Sequence, residues 1–493
     1  MRILLLAGAS LLTLASPAMA QQTEPTQSTE PTQSTEPTDS TQLDTLEPAD
    51  EVQQPQAAPK PTGDPVLDRL NALEQRVNQL EAENAQLKQQ AELNEGRIET
   101  VETRAAKNVQ FGWAPTISDP SGNFTFKPRG VIEADAGLFN EREGGYDYSD
   151  GTQLRRARLG FEGTAYKWWN YRAEVDFAGN AVNITDLYLQ YTKIPKTVLT
   201  IGQFKAPFGL ESNNSDNYNT FLERGMFTNA FGNAGAERRI GLGWAYAPKE
   251  NINIAAGLFG DNESISRGSG TAPGESWGVN GRATWEPLFD TGKIIHLGIS
   301  GYYRDRLKSG DTPDAVRLND RPNIRIDGGN IADSGVITNV DSMHYAGAEA
   351  AGVFGPLTVA GEAGRLWLDR FGADNEHFTG YYGYAAYMLT GETRPFKGGN
   401  FDRIRPFKDV GNGGIGAFEV ALRYDHLNLA NTPVVARAGN EASSVTAGLN
   451  WYFNPYAKIM FNWVRFWGDN TPLDPVGSKT KGDAFATRLH LDF

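Results

Sequence analysis

The sequence predicts an all-β chain: a closed antiparallel transmembrane β-barrel of about 16 strands, preceded by a disordered linker and a parallel coiled-coil helix. Three observations predict it. From about Phe124 onward, segments of roughly ten residues alternate large apolar with polar side chains, and Gly, Asn, Asp and Pro clusters separate them. Trp168, Trp169, Trp244, Trp285, Trp451, Trp463 and Trp467 fall at segment ends, where interfacial girdles need them. The final segment, 485–493, is a complete strand pattern that ends on Phe493.

Composition narrows the function classes. The 493 residues carry 46 Lys+Arg and 60 Asp+Glu, a net charge of −14, with 54 Gly and no Cys. The absence of Cys removes a disulfide scaffold, a Cys-ligated zinc and a thiol nucleophile. The acidic balance argues against nucleic acid as a partner. No apolar run after residue 20 reaches the ~18 residues of a membrane-crossing helix.

Residues 1–20 read as a secretory signal peptide. Arg2 supplies the charged start, Ile3 to Leu14 the apolar stretch, and Ala18-Met19-Ala20 the cleavage site. Residues 21–65 form a polar, Pro-rich linker that opens with a six-residue unit repeated from Thr23 to Ser40. Few large apolar side chains are present to offset chain entropy, so the linker is expected to be extended and disordered.

Residues 66–108 change period. Val66, Leu70, Leu73, Val77, Leu80, Asn84, Leu87, Ala91, Asn94, Ile98, Val101 and Ala105 recur at alternating spacings of four and three. That narrow seam is the signature of an oligomerising coiled coil, with Asn84 and Asn94 setting register at some cost in stability. Asp64-Pro65 fits the helix start, Asp64 as cap and Pro65 in the first turn. Residues 21–110 hold 7 basic and 17 acidic residues, so most of the negative charge lies outside the barrel segment 111–493.

In the barrel segment the two faces separate cleanly. Ala157, Leu159 and Phe161 oppose Arg156, Arg158 and Glu162; Tyr171, Ala173 and Val175 oppose Arg172, Glu174 and Asp176. Ile240, Leu242 and Trp244 oppose Arg239, while Val279, Ala283 and Trp285 oppose Asn280, Arg282 and Glu286. At the end of the chain Phe485, Leu489, Leu491 and Phe493 oppose Arg488, His490 and Asp492. A soluble sandwich would bury the apolar face against a second sheet. The end-placed aromatics and the mixed-charge, Gly-rich polar face favour lipid outside and water inside. Short turns such as Pro248–Glu250, Gly355-Pro356 and Asn454-Pro455 are expected at one rim. Long connections such as 206–237, 305–342 and 391–414 are expected at the other.

Several runs then carry a family resemblance. Leu154-Arg-Arg-Ala-Arg-Leu-Gly-Phe-Glu-Gly163, Gly202-Gln-Phe-Lys-Ala-Pro-Phe-Gly-Leu-Glu211, Phe221-Leu-Glu-Arg224, Tyr302-Tyr-Arg-Asp305, Leu389-Thr-Gly-Glu392, Gly448-Leu-Asn-Trp-Tyr452 and Arg488-Leu-His-Leu-Asp-Phe493 resemble the phosphate-selective porins O and P. The resemblance covers about 124–493. It implies a homotrimeric channel in the Gram-negative outer membrane, with 16 strands, inward-folded loops and passive diffusion of small anions. Phe493 is similar to the outer-membrane assembly signal. The family's phosphate-selective members carry a close-spaced arginine ladder in a long mid-chain loop. Here Arg317, Arg321 and Arg325 stand in that loop, with Asn323 where another cation is expected.

An anion pathway needs fixed cations that replace part of a hydration shell, and Arg forks onto phosphate oxygens. The candidates are Arg156, Arg158, Arg239 and Arg282 on strands, Arg317, Arg321 and Arg325 in the loop, and Arg224 and Lys205 in and beside 206–237. The competing reading for each strand arginine is a wall residue paired with a carboxylate such as Glu162, Glu174 or Asp176. No cofactor or metal is expected: Gly411–Gly416 opens no helix, and the five His are scattered without metal spacing. No reaction chemistry is expected, and the chain is read as a channel rather than an enzyme. The same-class alternative is a general diffusion porin without strong anion preference. The other is an envelope tether, with the N-terminal arm in the periplasm reaching the cell wall.

Overall fold

The structure, a computed structural model, describes residues 63–493 except 111, 144–145, 262–274, 310–311, 431–440 and 470–478, with residues 99–108 as helix backbone only. The signal-peptide and repeat expectations lie outside the described residues. Two compact units divide near Gln89 and Gln90, and each is described by itself.

Helix α1 spans Pro65–Asn108. Asp64 Oδ1 accepts from the Val66 N–H at 2.9 Å, satisfying one of the donors that a helix start leaves open. Along this helix Leu70, Leu73, Val77, Leu80, Leu87 and Ile98 are exposed.

Among the described residues, sixteen long strands form one closed antiparallel sheet. They are β1 (Thr125–Glu143), β2 (Gly151–Ala165), β3 (Trp169–Asp176), β4 (Asn183–Tyr191), β5 (Thr197–Lys205), β6 (Arg238–Lys249), β7 (Ile252–Phe259) and β8 (Trp277–Asp290). The second half is β9 (Lys293–Asp305), β10 (Val340–Phe354), β11 (Leu357–Arg370), β12 (Glu376–Met388), β13 (Ala417–Asn428), β14 (Glu441–Tyr452), β15 (Ala457–Asp469) and β16 (Lys479–Asp492). Each pairs with its sequence neighbour, and β16 closes on β1 with Phe485 opposite Leu138 and Arg488 opposite Asp135. Closure leaves no open edge, which a bilayer demands.

The faces follow the alternation. Leu138, Leu159, Leu242, Ile299, Leu422, Phe485 and Leu489 all point outward and are exposed. No second layer of protein covers them among the described residues, so acyl chains are the environment that suits them. Trp169, Trp244, Trp285 and Trp451 lie toward the short-turn rim and Trp467 toward the opposite one, whereas Trp463, expected at a strand end, stands at the middle of β15. Short strands Val109–Gln110 and Thr116–Ser118 pair with each other, and the second continues onto the start of β1. Between them Trp113 stacks on Tyr456 at 5.3 Å and donates to the Asp492 carbonyl at 2.7 Å. Residue 113 is thereby seated at the short-turn rim.

Phe493 secures the seam between the first and last strands. It exchanges two backbone hydrogen bonds of 3.0 Å with Gly130, and its ring lies where a Cβ on Gly130 would collide. Deleting Phe493 is expected to cost roughly 2–3 kcal/mol at the seam and to lower the yield of heat-modifiable barrel on gels. Unchanged yield would remove the seam role.

One expectation is corrected. The connection 391–414 belongs to the short-turn rim, because it joins the twelfth strand to the thirteenth and strand parity decides the side. It is long because it turns into the barrel rather than along the rim.

Candidate functional site

Three segments enter the lumen: loop 206–237, loop 306–339 and segment 389–416. The first carries a single helical turn, Leu210–Asn213, and helix α2, Met226–Gly235. Glu362 on β11 accepts from the Leu210 and Glu211 N–H groups at 2.9 and 2.7 Å. Gly209 has φ +57° and no room for a Cβ beside that carboxylate, so glycine is required there. The α2 side chains Met226, Phe227 and Phe231 pack against Tyr302, Tyr345, Leu366, Phe378 and Tyr382 of β9–β12. The expectation of a polar inner face therefore fails on this arc. Its residues face a helix, not water.

The charged part of the same loop meets the opposite wall. Glu223 takes a two-pronged contact from Arg155 at 2.7 and 3.0 Å, with Arg488 at 2.8 Å and Arg325 at 3.3 Å. Asp216 takes Arg158 at 3.0 Å, Arg156 at 3.3 Å and Arg224. Glu211 takes Arg423 at 3.3 Å. Burial alone would push the Asp216 and Glu223 carboxyls up. Arg156 and Arg224 around the first, and Arg155 and Arg488 around the second, instead hold both well below the usual carboxylate range.

Sequence alternation points Arg155 outward, yet it reaches Glu223. The register between β1 and β2 slips at this place, with Glu133 opposite Arg156 but Ala134 opposite Leu154. Arg155 is the extra residue of a β-bulge, which re-aims its side chain inward. Period-2 reading carries no signal for such a slip.

The remaining candidates are also placed. Arg156 pairs with Glu133, and Arg158 with Asp176 at 2.9 Å. Arg239 lies 3.6 Å from Asp261. Arg282 contacts Glu349 at 3.0 Å and the Gly399 carbonyl at 2.8 Å. Glu349 is shared with His296, whose two ring nitrogens face Glu286 at 2.7 Å and Glu349 at 2.8 Å. Lys205 donates to the Ser212 and Asn214 carbonyls at 3.0 and 3.2 Å and lies 3.7 Å from Asp216. Arg317 holds Asp333 at 2.8 Å, and Arg325 holds Asp320 at 2.7 Å.

Arg321 differs. Its guanidinium donates to the Arg325 carbonyl at 3.2 Å and joins no ion pair among the described residues. Partial burial and then the Arg325 charge pull its pKa below the ordinary arginine value; Arg155 adds to the effect, while Asp320 and Glu223 oppose it. Eight of the nine candidate cations thus touch a carboxylate, and one is left facing like charge.

Segment 389–416 narrows the mouth from the short-turn side. Arg394 bridges Glu419 at 2.6 Å and the Tyr218 carbonyl at 2.9 Å, and Asn214 Oδ1 accepts from the Phe401 N–H at 3.0 Å. Arg403 clamps Asp492. A chamber of about 280 Å³ remains beside it, lined by Lys196, Asn213, Asn253, Arg282, Thr284 and Asn400. Arg155, Arg394, Arg403, Arg423 and Arg488 are site residues that the sequence did not single out, because their partners lie on segments far away in the chain.

Asp320 makes the loop pH-sensitive. Burial pushes its carboxyl up to about 6 while Arg325 pulls the other way. Since that exceeds the free carboxylate value of 3.8, Asp320 favours the folded loop most at low pH and loses that contribution as pH rises through about 6. From pH 7.5 to pH 5 it takes up a proton, and Arg325 keeps only Glu223. Anion preference measured by reversal potential is expected to be higher at pH 5, and Asp320→Asn is expected to keep the higher value at both pH values. A preference independent of pH would contradict this.

The comparisons agree with this architecture. The sequence model of "Phosphate-selective porin O and P" matches residues 126–493. Porin O of Pseudomonas aeruginosa is 29% identical over 419 residues, covering 76% of this chain and 90% of that protein. An uncharacterized protein of Caulobacter vibrioides is 30% identical over 397 residues, covering 79% of this chain and 78% of its own length. Among solved structures, the anion-selective porin from Comamonas acidovorans aligns with a TM-score of 0.48 at 13% identity, over 75% of this chain and 100% of that one. With the family's sequence model spanning the whole closed barrel, this chain belongs to the phosphate-selective porin O and P family of outer-membrane porins.

Proposed function

We propose that the barrel passes small inorganic anions, phosphate among them, down their gradient, and that Arg321 with Arg325 and Arg155 forms the selective point. The observation that carries this is Arg321, a half-buried guanidinium that no carboxylate contacts among the described residues, with Arg325 and Arg155 near it and Asp320 and Glu223 at longer range. An incoming anion relieves that repulsion, and a fork of N–H donors suits phosphate oxygens. Membership of a porin family supports a filter without reaction chemistry. Phosphate block of chloride current through single channels tests it. Block is expected in the wild type, and its absence would favour the second reading.

That second reading is a general diffusion porin with weak anion preference. It is favoured by the ion pairing of Arg156, Arg158, Arg239 and Arg282, which leaves the strand wall nearly neutral.

The assembly we propose is a homotrimer held partly by α1, whose exposed 3.5-residue seam suits self-association. The arm then lies in the periplasm, supported by the seating of Trp113 at the short-turn rim, and can reach the cell wall. Leu73→Asp with Leu80→Asp in the full chain is expected to abolish cross-linking between α1 helices and to leave single-channel conductance unchanged. Retained cross-linking would remove the coiled coil.

A further inference from the structure

The outward face of β9–β12 carries a cation that the channel does not use. Arg365 on β11 sits between Ala346 of β10 and Thr379 of β12. It alternates with exposed Trp367, so its side chain is on the lipid side of the wall. The guanidinium lies over the Trp367 ring, 5.4 Å from the centroid. Its Nε is buried and has no hydrogen-bond partner. No carboxylate pairs with Arg365 among the described residues. Another outward cation near this rim, Arg465, is compensated by Asp483 at 2.9 Å.

Height matters. β11 runs from the short-turn rim to the long-loop rim, and Arg365 is five residues from its loop end and eight from its turn end. The long-loop rim of such a barrel faces outside the cell, so Arg365 lies at the level of the outer leaflet. An uncompensated arginine on a lipid face costs roughly 2–4 kcal/mol at the midplane and about 0–1 near the interface. Pairing with a lipid phosphate offsets that cost. The cation–π contact with Trp367 holds the guanidinium beside the wall, and its fork suits two phosphate oxygens.

Below Arg365 an apolar trough of about 860 Å³ runs across β7–β12. Its lining near Arg365 is small, with Ala348 and Ala350 on β10 and Gly361 and Ala363 on β11, and Tyr381 bounds it on β12. Ala363 is two residues from Arg365 on the same face of β11. An acyl-chain groove with a cation at its head end has the shape and charge of an anionic-lipid site.

We infer that Arg365, stacked on Trp367 above this trough, binds a phosphate of an acylated, phosphorylated glycolipid of the outer leaflet, with one acyl chain in the trough. The inference needs the outward face to meet lipid and is independent of which solute permeates. The full-length protein is exposed to vesicles containing diphosphoryl lipid A or its dephosphorylated form, and retained lipid is measured after detergent extraction. Arg365→Gln is expected to lower diphosphoryl lipid A retention about tenfold, and Arg365→Lys to restore part of it. The dephosphorylated form is expected to bind wild type and Arg365→Gln alike. Ala363→Phe, which fills the trough, is expected to lower retention of both forms. Single-channel conductance is the control for folding and is expected to stay constant in all variants. Equal retention by wild type and Arg365→Gln would overturn the inference. So would dissociation of the oligomer in Ala363→Phe with lipid retention unchanged, because a second copy of the chain would then occupy the trough.

Discussion

Replacing Arg321 with Ala is expected to weaken phosphate block of chloride current about tenfold, roughly 1.4 kcal/mol. The effect is large because Arg321 is the candidate cation whose field is not cancelled by a carboxylate contact. Arg325 shares its charge with Asp320 and Glu223, and Arg155 shares its own with Glu223. Two charges 5 Å apart interact by about 1 kcal/mol in bulk water and about 3 kcal/mol at an effective dielectric of 20, so one uncompensated guanidinium dominates its surroundings. Arg317→Ala is the control, since Arg317 is neutralised by Asp333 at 2.8 Å. It is expected to shift the block less than twofold. Equal effects of the two substitutions would mean that selectivity is spread over the loop.

Glu223→Gln is expected to loosen loop 206–237 while the barrel stays closed. One carboxylate there faces three guanidiniums, Arg155, Arg488 and Arg325. Removing one partner of a buried ion pair costs about 3–5 kcal/mol. The loss falls on the loop, because the strand ladders do not use Glu223. Hydrogen exchange in 206–237 is therefore expected to speed up roughly 100-fold or more, with β1–β16 amides unchanged. Freed arginines raise the positive field at the same time, so anion preference is expected to rise as the loop loosens. Glu223 is held well below the usual carboxylate range, its burial outweighed by Arg155 and Arg488. A depressed acid keeps its stabilising effect above the unfolded value of 4.5 and loses it only as pH falls through the lower folded value. The share of the loop's protection factors that Glu223 supplies is therefore expected to be the same at pH 7.5 and pH 5, once the intrinsic pH dependence of amide exchange is divided out. That separates Glu223 from Asp320, which changes charge within this window.

The barrel was legible because lipid imposes one simple rule on its outer face. Leu159, Leu242, Leu422 and Leu489 must be apolar whatever lies inside, and that rule yields all sixteen strands. The inner face follows no such rule. Leu366 and Phe378 point inward because α2 covers them, and the position of α2 is set by loop 206–237, far earlier in the chain. Arg156 and Arg158 were found on the correct face, but Asp216, which neutralises both, comes from loop 206–237. That loop carries Glu211, Asp216 and Glu223. In the folded chain its acids are the counter-charges of wall arginines. Arg155 was hidden by a bulge, and segment 389–416 by an uncounted strand parity. The three loop arginines were legible as a group, yet their separation into paired Arg317 and Arg325 and unpaired Arg321 needed Asp333 and Asp320 in place.

A lipid-bounded water column that favours anions is tested by the reversal potential of the wild-type channel in a planar bilayer across a potassium chloride gradient. Current is expected to reverse on the chloride side of zero and to shift back toward zero when phosphate is added. Reversal on the potassium side would contradict it.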